Sequence, residues 1–197
     1  MAHALLEFWF GSLDGEVSAA QRAKWFASDA AFDVACARFE DALTAVDAEQ
    51  SPLPDTPLDA LERIILTDQI PRNIYRGSAR AFAWDTHALG CARHAIEHGW
   101  DLQLSGDQRA FMYMPFEHSE VLIDQHTAVG LFAKLRDDAS GGARSVAGNN
   151  LRFAQQHRDI ILRFGRFPHR NAVLGRTSSD QEREFVATGD GFGQSPN

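Results

Sequence analysis

SARAFAWDTHALGCARHAIEHG, residues 78–99, reads as a helix with apolar residues on two of its sides. Phe82, Ala83, Leu89 and Ile96 follow helical spacing on one face, and Trp84, Ala88, Cys91 and Ala95 follow it on another. Two apolar faces need two neighbours, which is the situation of an inner helix in a stack of antiparallel helix pairs. Gly77-Ser78 supplies a start with Ser78 as cap, and Gly99 suits a left-handed C-terminal cap.

Outward from that stretch the periodicity stays helical, and no segment has the β-branched alternation of a strand. Helices are predicted near 3–10, 19–48, 57–69, 78–98, 106–113, 115–137, 147–164 and 178–188. Thr56-Pro57-Leu58-Asp59 places an N-cap Thr before an N1 Pro, with an acid at N3. Ser105 and Asp107 mark another start, and Pro115 with Glu117 and Glu120 reads as a first turn favoured by the helix dipole. Gly165 and Pro168 bracket a stop and restart. Residues 138–150, rich in Gly, Ser, Asn and Ala, read as a flexible and mobile connection, and Ser51-Pro52-Leu53-Pro54 as a stiffer one. The expected fold is all-α, antiparallel helix pairs stacked as an α-α superhelix, in one domain spanning 1–197.

At 197 residues the chain is long enough to bury a sizeable core. Its formal net charge of -8 opposes general affinity for nucleic acid or anionic membranes. No run approaches the roughly 20 apolar residues of a membrane span. The first apolar stretch, Ala4–Phe10, is interrupted by Glu7 and lacks a basic leader, so it reads as a short amphipathic helix rather than a signal. Two cysteines without framework spacing, Cys36 and Cys91, read as reduced and buried. These features together predict a cytoplasmic protein.

Charge is unevenly spread. Residues 151–176 hold six Arg (152, 158, 163, 166, 170 and 176) against the single Asp159, a +5 segment in an acidic chain, with His157 and His169 among them. Only Lys24 and Lys134 are lysines. Arginine is the side chain suited to bidentate, partly buried pairing with carboxylates or phosphates.

Three apolar stripes are interrupted by polar residues. Leu58, Leu61 and Ile65 lead to Asp68; Leu122, Val129 and Phe132 pass through Gln125 and, one turn back, His118; Phe153, Ile160, Ile161 and Phe164 pass through His157. An inward carboxylate needs a partner, because burying it alone is costly. Two flanking stripes of opposite sign, Glu117, Glu120 and Asp124 against Arg152, Gln156, Asp159, Arg163 and Arg166, are able to neutralise each other. One reading is a closed ion-pair network in which Asp68 and the glutamates pair with Arg72, Arg76, Arg163 or Arg166. The other is a cleft lined by His118, His157 and several arginines.

Competing motifs are weak. His94-Ala95-Ile96-Glu97-His98 matches an inverted zinc-peptidase pattern over five residues only, at a helix end where the dipole already favours His. Glu117-His118-Ser119-Glu120 is more simply a first-turn acid pair than a metal site. No metal ligand set and no cofactor are expected, since phosphate-binding glycine loops, dinucleotide fingerprints and nucleophile elbows are absent.

The blocks DQIPRNIYRGSARAFAWD (68–85), FMYMPFEHSE (111–120), HRDIILRFGRFPHRN (157–171) and LGR (174–176) resemble the bacterial family called domain of unknown function 924, over about Leu5 to Phe192. The resemblance implies an all-helical fold similar to tetratricopeptide-repeat proteins, with no established activity. The family's motif positions fall on Asp68, Gln69, Arg72, Asn73, Tyr75 and Arg76, on Glu117, His118 and Glu120, and on His157, Arg163, Arg166, His169, Arg170, Asn171 and Arg176. The chain departs from the pattern at Thr67 and Ile70, and lacks a Trp ahead of the Thr-Pro cap, changes that touch packing.

The candidate ligand-binding residues are therefore Asp68, Arg72, Asn73, Arg76, Gln125, Arg163, Arg166, His169, Arg170, Asn171 and Arg176. Candidate catalytic residues are His118, His157, Glu117 and Glu120. The expected function is a helical-repeat-like module that binds an anionic metabolite or a peptide carboxylate. The alternatives are a hydrolase of a small anionic substrate using a His-carboxylate pair, and a structural scaffold with an internal polar network.

Overall fold

A computed structural model describes residues 3–14, 17–26, 29–49 and 52–188. It is 77% helical and has no strand among those residues. The helices run α1 (Ala4–Phe10), α2 (Ala19–Phe26), α3 (Ala30–Cys36), α4 (Glu40–Glu49), α5 (Pro57–Ile64), α6 (Ile70–Ile74), α7 (Asp85–Glu97), α8 (Gly106–His118), α9 (Leu122–Asp138), α10 (Gly141–Phe164) and α11 (Asp180–Ala187). The all-α expectation is what is found, and helix pairs such as α5 with α7 and α9 with α10 are compatible with tetratricopeptide-like similarity. Among the described residues no helix is long and apolar enough to cross a membrane. Contacts cluster into two compact units, residues 3–76 with 80–112 and residues 77–79 with 113–188, and the boundary falls inside α8.

In the first unit, α1 delivers Trp9 and Phe10 to an aromatic core with Trp25 and Phe111, all in edge-to-face contact at 4.7–5.7 Å. That geometry suits the ring quadrupoles. Gly11 ends α1 at φ 82, and Gln21 Nε2 and Trp25 Nε1 donate to the carbonyls left open there, Phe8 and Trp9 for the first and Trp9 for the second. α5 starts as expected, with Thr56 accepting from the Asp59 amide at 3.2 Å.

Past Ile64 the helix does not stop at residue 69. Ile65–Gln69 forms a π turn, the Ile70 amide donating to the Ile65 carbonyl, and α6 continues directly. All five π residues are buried, so this segment is enveloped on every side. The 78–98 helix begins instead as a 3-10 turn, Ala79–Phe82, followed by α7. One of its two apolar faces (Trp84, Ala88, Cys91, Ala95) is buried, while on the other Phe82, Leu89 and Ile96 are half-buried and Ala83 is exposed. Cys36 and Cys91 are both free and buried. Gly99 takes the expected left-handed conformation at φ 65.

The second unit is organised by the antiparallel α9–α10 hairpin. Here two boundary expectations are corrected. Pro115 does not open a helix but lies inside α8, where it removes one donor from the ladder. Residues 110–117 are buried without a break, so packing on all sides outweighs the proline penalty. The 138–150 connection is also largely helix: Ser140 precedes α10, and Ala147, Leu151 and Ala154 form its buried face. Arg144 donates to the Arg136 and Ala139 carbonyls at 3.2 and 3.4 Å, closing the end of α9 from the first turns of α10. Glycines at 142 and 148 disguise this segment because each costs roughly 1 kcal/mol in a helix, which the hairpin packing offsets. The helix expected over 19–48 is three, α2, α3 and α4, and residues 27–28 lie outside the described ones.

Candidate functional site

The sequence candidates fall in both units. In the first, the π turn places Asp68 in full burial. Arg72 Nη1 lies 3.2 Å from its Oδ1 and donates to its backbone carbonyl at 2.6 Å. The same guanidinium forks onto Asp85 at 2.8 and 3.0 Å. Burial disfavours the Arg72 charge, and the two carboxylates more than compensate, so its pKa is raised. Gln69 Nε2 donates to Asp68 Oδ2 at 2.5 Å, and Asn73 Nδ2 to the Gln69 carbonyl at 2.9 Å. Arg76, exposed, forks onto Asp33 at 3.0 and 3.2 Å and reaches the network at its edge, donating to Asn73 Oδ1 at 3.5 Å. Two acids and one base, each engaged, describe an ion-pair network that fixes helix register.

The second unit assembles the histidines. Residues 119–121 separate α8 from α9, and Gln125, fully buried, spans that break by donating Nε2 to the carbonyls of Glu117 and Ser119, both at 2.6 Å. This fixes the end of α8, where Glu117 and His118 sit. From α10, His157 brings Nδ1 to 2.9 Å from Glu117 Oε1 and 2.9 Å from the Phe153 carbonyl. Two acceptors on one nitrogen mean that Nδ1 carries hydrogen, which sets the tautomer. Both side chains are about nine-tenths buried.

Gly165, left-handed at φ 68, turns the chain after α10 and delivers Phe167 into full burial. Around that ring lie His157 and His169, each with its centroid 5.5 Å away, and the Arg170 guanidinium at 4.5 Å. His118 and His157 are 6.4 Å apart by ring centroids. Glu120 accepts the Phe167 amide at 2.7 Å and both Arg176 nitrogens at 2.7 and 3.0 Å, while Arg176 also donates to the Phe167 carbonyl. Burial pushes the Glu120 carboxyl up, but these donors outweigh it and hold it below the usual range. His169 moves down to about 3, through burial first and then the nearby Arg170, His157, His118 and Arg176. The cluster is a place where positive charge is already felt. Arg176 Nε and Gln125 Oε1 are buried there without a hydrogen-bond partner.

The remaining arginines point elsewhere. Arg163 is exposed, its guanidinium 4.6 Å over Phe164. Arg166 forks onto Glu182 at 2.7 and 2.9 Å. Asn171, buried, donates to Ser178 at 3.0 Å. The two flanking stripes touch where Glu120, behind the larger effect of Glu182, raises the Arg166 pKa, but their bonded partners lie elsewhere: Arg152 bonds Asn149, Asp159 takes Arg158, and Glu120 takes Arg176. Sequence reasoning missed Phe167, Asp85 and Glu182. The last was legible, since Ser179 to Glu182 has capping-box spacing and forms one. Among the described residues, no group of three or more His, Cys, Asp or Glu is placed to hold a metal ion.

The chain matches, over residues 5–190, the family described as bacterial protein of unknown function (DUF924). A solved structure, a protein of unknown function, ATU0120, from Agrobacterium tumefaciens, is 40% identical over 86% of this chain and 92% of its own, with a TM-score of 0.75. No curated protein matches.

Proposed function

We propose, for a chain that belongs to the DUF924 family, that the second unit binds the carboxylate or phosphate of a small anionic metabolite or peptide at the cluster of His118, His157, His169 and Arg170. The observation that carries this reading is the convergence of His157, His169 and Arg170 on one buried ring, Phe167. The Arg170 guanidinium supplies the positive charge of that group, and in a low-dielectric surrounding it favours an anion. The depressed His169 supports it: burial is the larger cause, and the positive field of Arg170 and its neighbours that adds to it is one an anion relieves. Asp68, Arg72, Asn73 and Arg76 belong, in this reading, to the structural network of the first unit rather than to the ligand.

A second reading rests on the His157–Glu117 pair at 2.9 Å, the geometry of an oriented general base, and it favours a hydrolase of a small anionic substrate. We take the chain as one domain and as intracellular, the latter supported by the free thiols of Cys36 and Cys91. Its net charge of -8 supports a partner other than nucleic acid.

A thermal-shift panel of carboxylate and phosphate metabolites tests the proposal, since a ligand of the folded state raises stability by mass action. At least one anion is expected to raise the melting temperature of the wild type, and less so that of His118→Asn. A panel that raises neither, or raises both equally, ends the reading. Glu117→Gln then separates the two activities: a binding module retains the ligand shift, whereas a hydrolase keeps binding and loses turnover.

A further inference from the structure

A second place in the molecule has the makings of a ligand site, and it lies wholly in the first unit. His3 adopts φ 64 and ψ 36, the only positive φ outside glycine among the described residues. Such a backbone costs about 1–2 kcal/mol and persists where its surroundings hold it. Here the holder is Glu62 of α5. One of its oxygens lies 2.9 Å from His3 Nδ1 and the other accepts the Leu5 amide at 3.3 Å. A carboxylate at Nδ1 places hydrogen on that nitrogen, so Nε2 of the neutral ring is an acceptor.

The His3 ring lines a recess of about 350 Å³, within the range of roughly 300–1,000 Å³ typical of small-molecule sites. Its apolar wall is Leu13, Pro57, Leu58 and Leu104, all half-buried. Asp14, exposed, is the charged residue of the rim, and among the described residues no Lys or Arg lines the recess. The start of α5 opens here too, but Thr56 and Asp59 already occupy it: Thr56 accepts the Asp59 amide and donates to the Asp59 carboxylate at 2.6 Å. An anion finds acids rather than free amides. An acceptor nitrogen, a carboxylate and a short apolar wall suit the opposite ligand.

We propose that this recess binds a small organic cation, a primary ammonium on a short aliphatic stem. The ammonium donates to Asp14 and to His3 Nε2, and the stem packs on Leu13, Leu58 and Leu104. Glu62 acts as a positioning residue, holding the imidazole through Nδ1. This site is independent of the histidine cluster in the second unit, and its failure leaves that reading untouched.

The test is a titration of the isotope-labelled full chain with butylammonium chloride, sodium butyrate and 1-butanol, followed through amide resonances. Butylammonium is expected to give saturable shifts at Leu13, Leu58 and Leu104, with butyrate and butanol at least about tenfold weaker, the scale of one charge-assisted partner. Asp14→Asn is expected to weaken butylammonium about tenfold at an unchanged melting temperature, because the side chain is exposed. No saturable shift, equal binding of butyrate, or an Asp14→Asn variant that binds like the wild type would each overturn the proposal.

Discussion

Arg72→Ala isolates the buried network of the first unit. The guanidinium is only 11% exposed; it meets the Asp68 backbone carbonyl, the Asp68 carboxylate and both oxygens of Asp85, and lies over the Phe82 ring at 5.5 Å. Truncation takes the guanidinium away from the carboxylate of Asp68, which is fully buried and keeps its hydrogen bond from Gln69 Nε2. Removing one partner of a buried pair costs about 3–5 kcal/mol, because the other charge stays desolvated. At roughly 2–4 °C per kcal/mol for a chain of this size, the melting temperature falls by about 6–20 °C. Urea unfolding followed by far-ultraviolet circular dichroism measures the same loss as a lower midpoint. Adding Asp68→Asn removes the stranded charge, so the double variant recovers about 1–2 kcal/mol of the deficit. An Arg72→Ala loss under about 1 kcal/mol, or a double variant no better than the single, refutes the claim that this ion pair is a buried constraint.

His169 takes its proton near 6.5 when unfolded and near 3 when folded, so its neutral form contributes stability above 6.5 that is lost as pH falls from 6.5 towards 3. Denaturant unfolding across that window is expected to fall more steeply for the wild type than for His169→Phe; parallel curves count against a buried neutral imidazole. Arg163→Ala changes stability by no more than about 0.5 kcal/mol and leaves anion binding intact, since the side chain is exposed over Phe164. A larger loss in either measurement restores Arg163 to the site.

Helical class was legible because the periodicity is strong, and so were the caps whose chemistry is local, Thr56 and Gly165 among them. The polar interruptions were legible in part: Asp68, Gln125 and His157 are buried, but His118 is half-buried, Leu122 and Phe153 of the same stripes are exposed, and Asp124 of the flanking charged stripe is buried. What the stripes do not encode is partnership across sequence. Arg72 finds Asp85 and Arg166 finds Glu182 through turns whose direction depends on packing, not on spacing. Arg163 shares a charge run with Arg170, yet one faces water and the other is buried, because Gly165 redirects the chain between them. Pro115 and the glycines of α10 misled for a related reason. Propensities of roughly 1–3 kcal/mol lose to burial on several sides.

The π turn at Ile65–Gln69 makes the length of this helix a specification. A π turn is an α-helix carrying one surplus residue. Excising that residue restores ordinary hydrogen bonding and improves the local backbone. The helix downstream keeps nearly its present phase, because the five residues of the π turn sweep almost the angle that four α residues would. An insertion of one further residue has no such slack to take up and rotates everything downstream by about 100°, taking Arg72 off Asp85 and Asn73 off its place beneath Gln69. Tolerance of length is therefore lopsided in this stretch, which loses one residue more readily than it gains one.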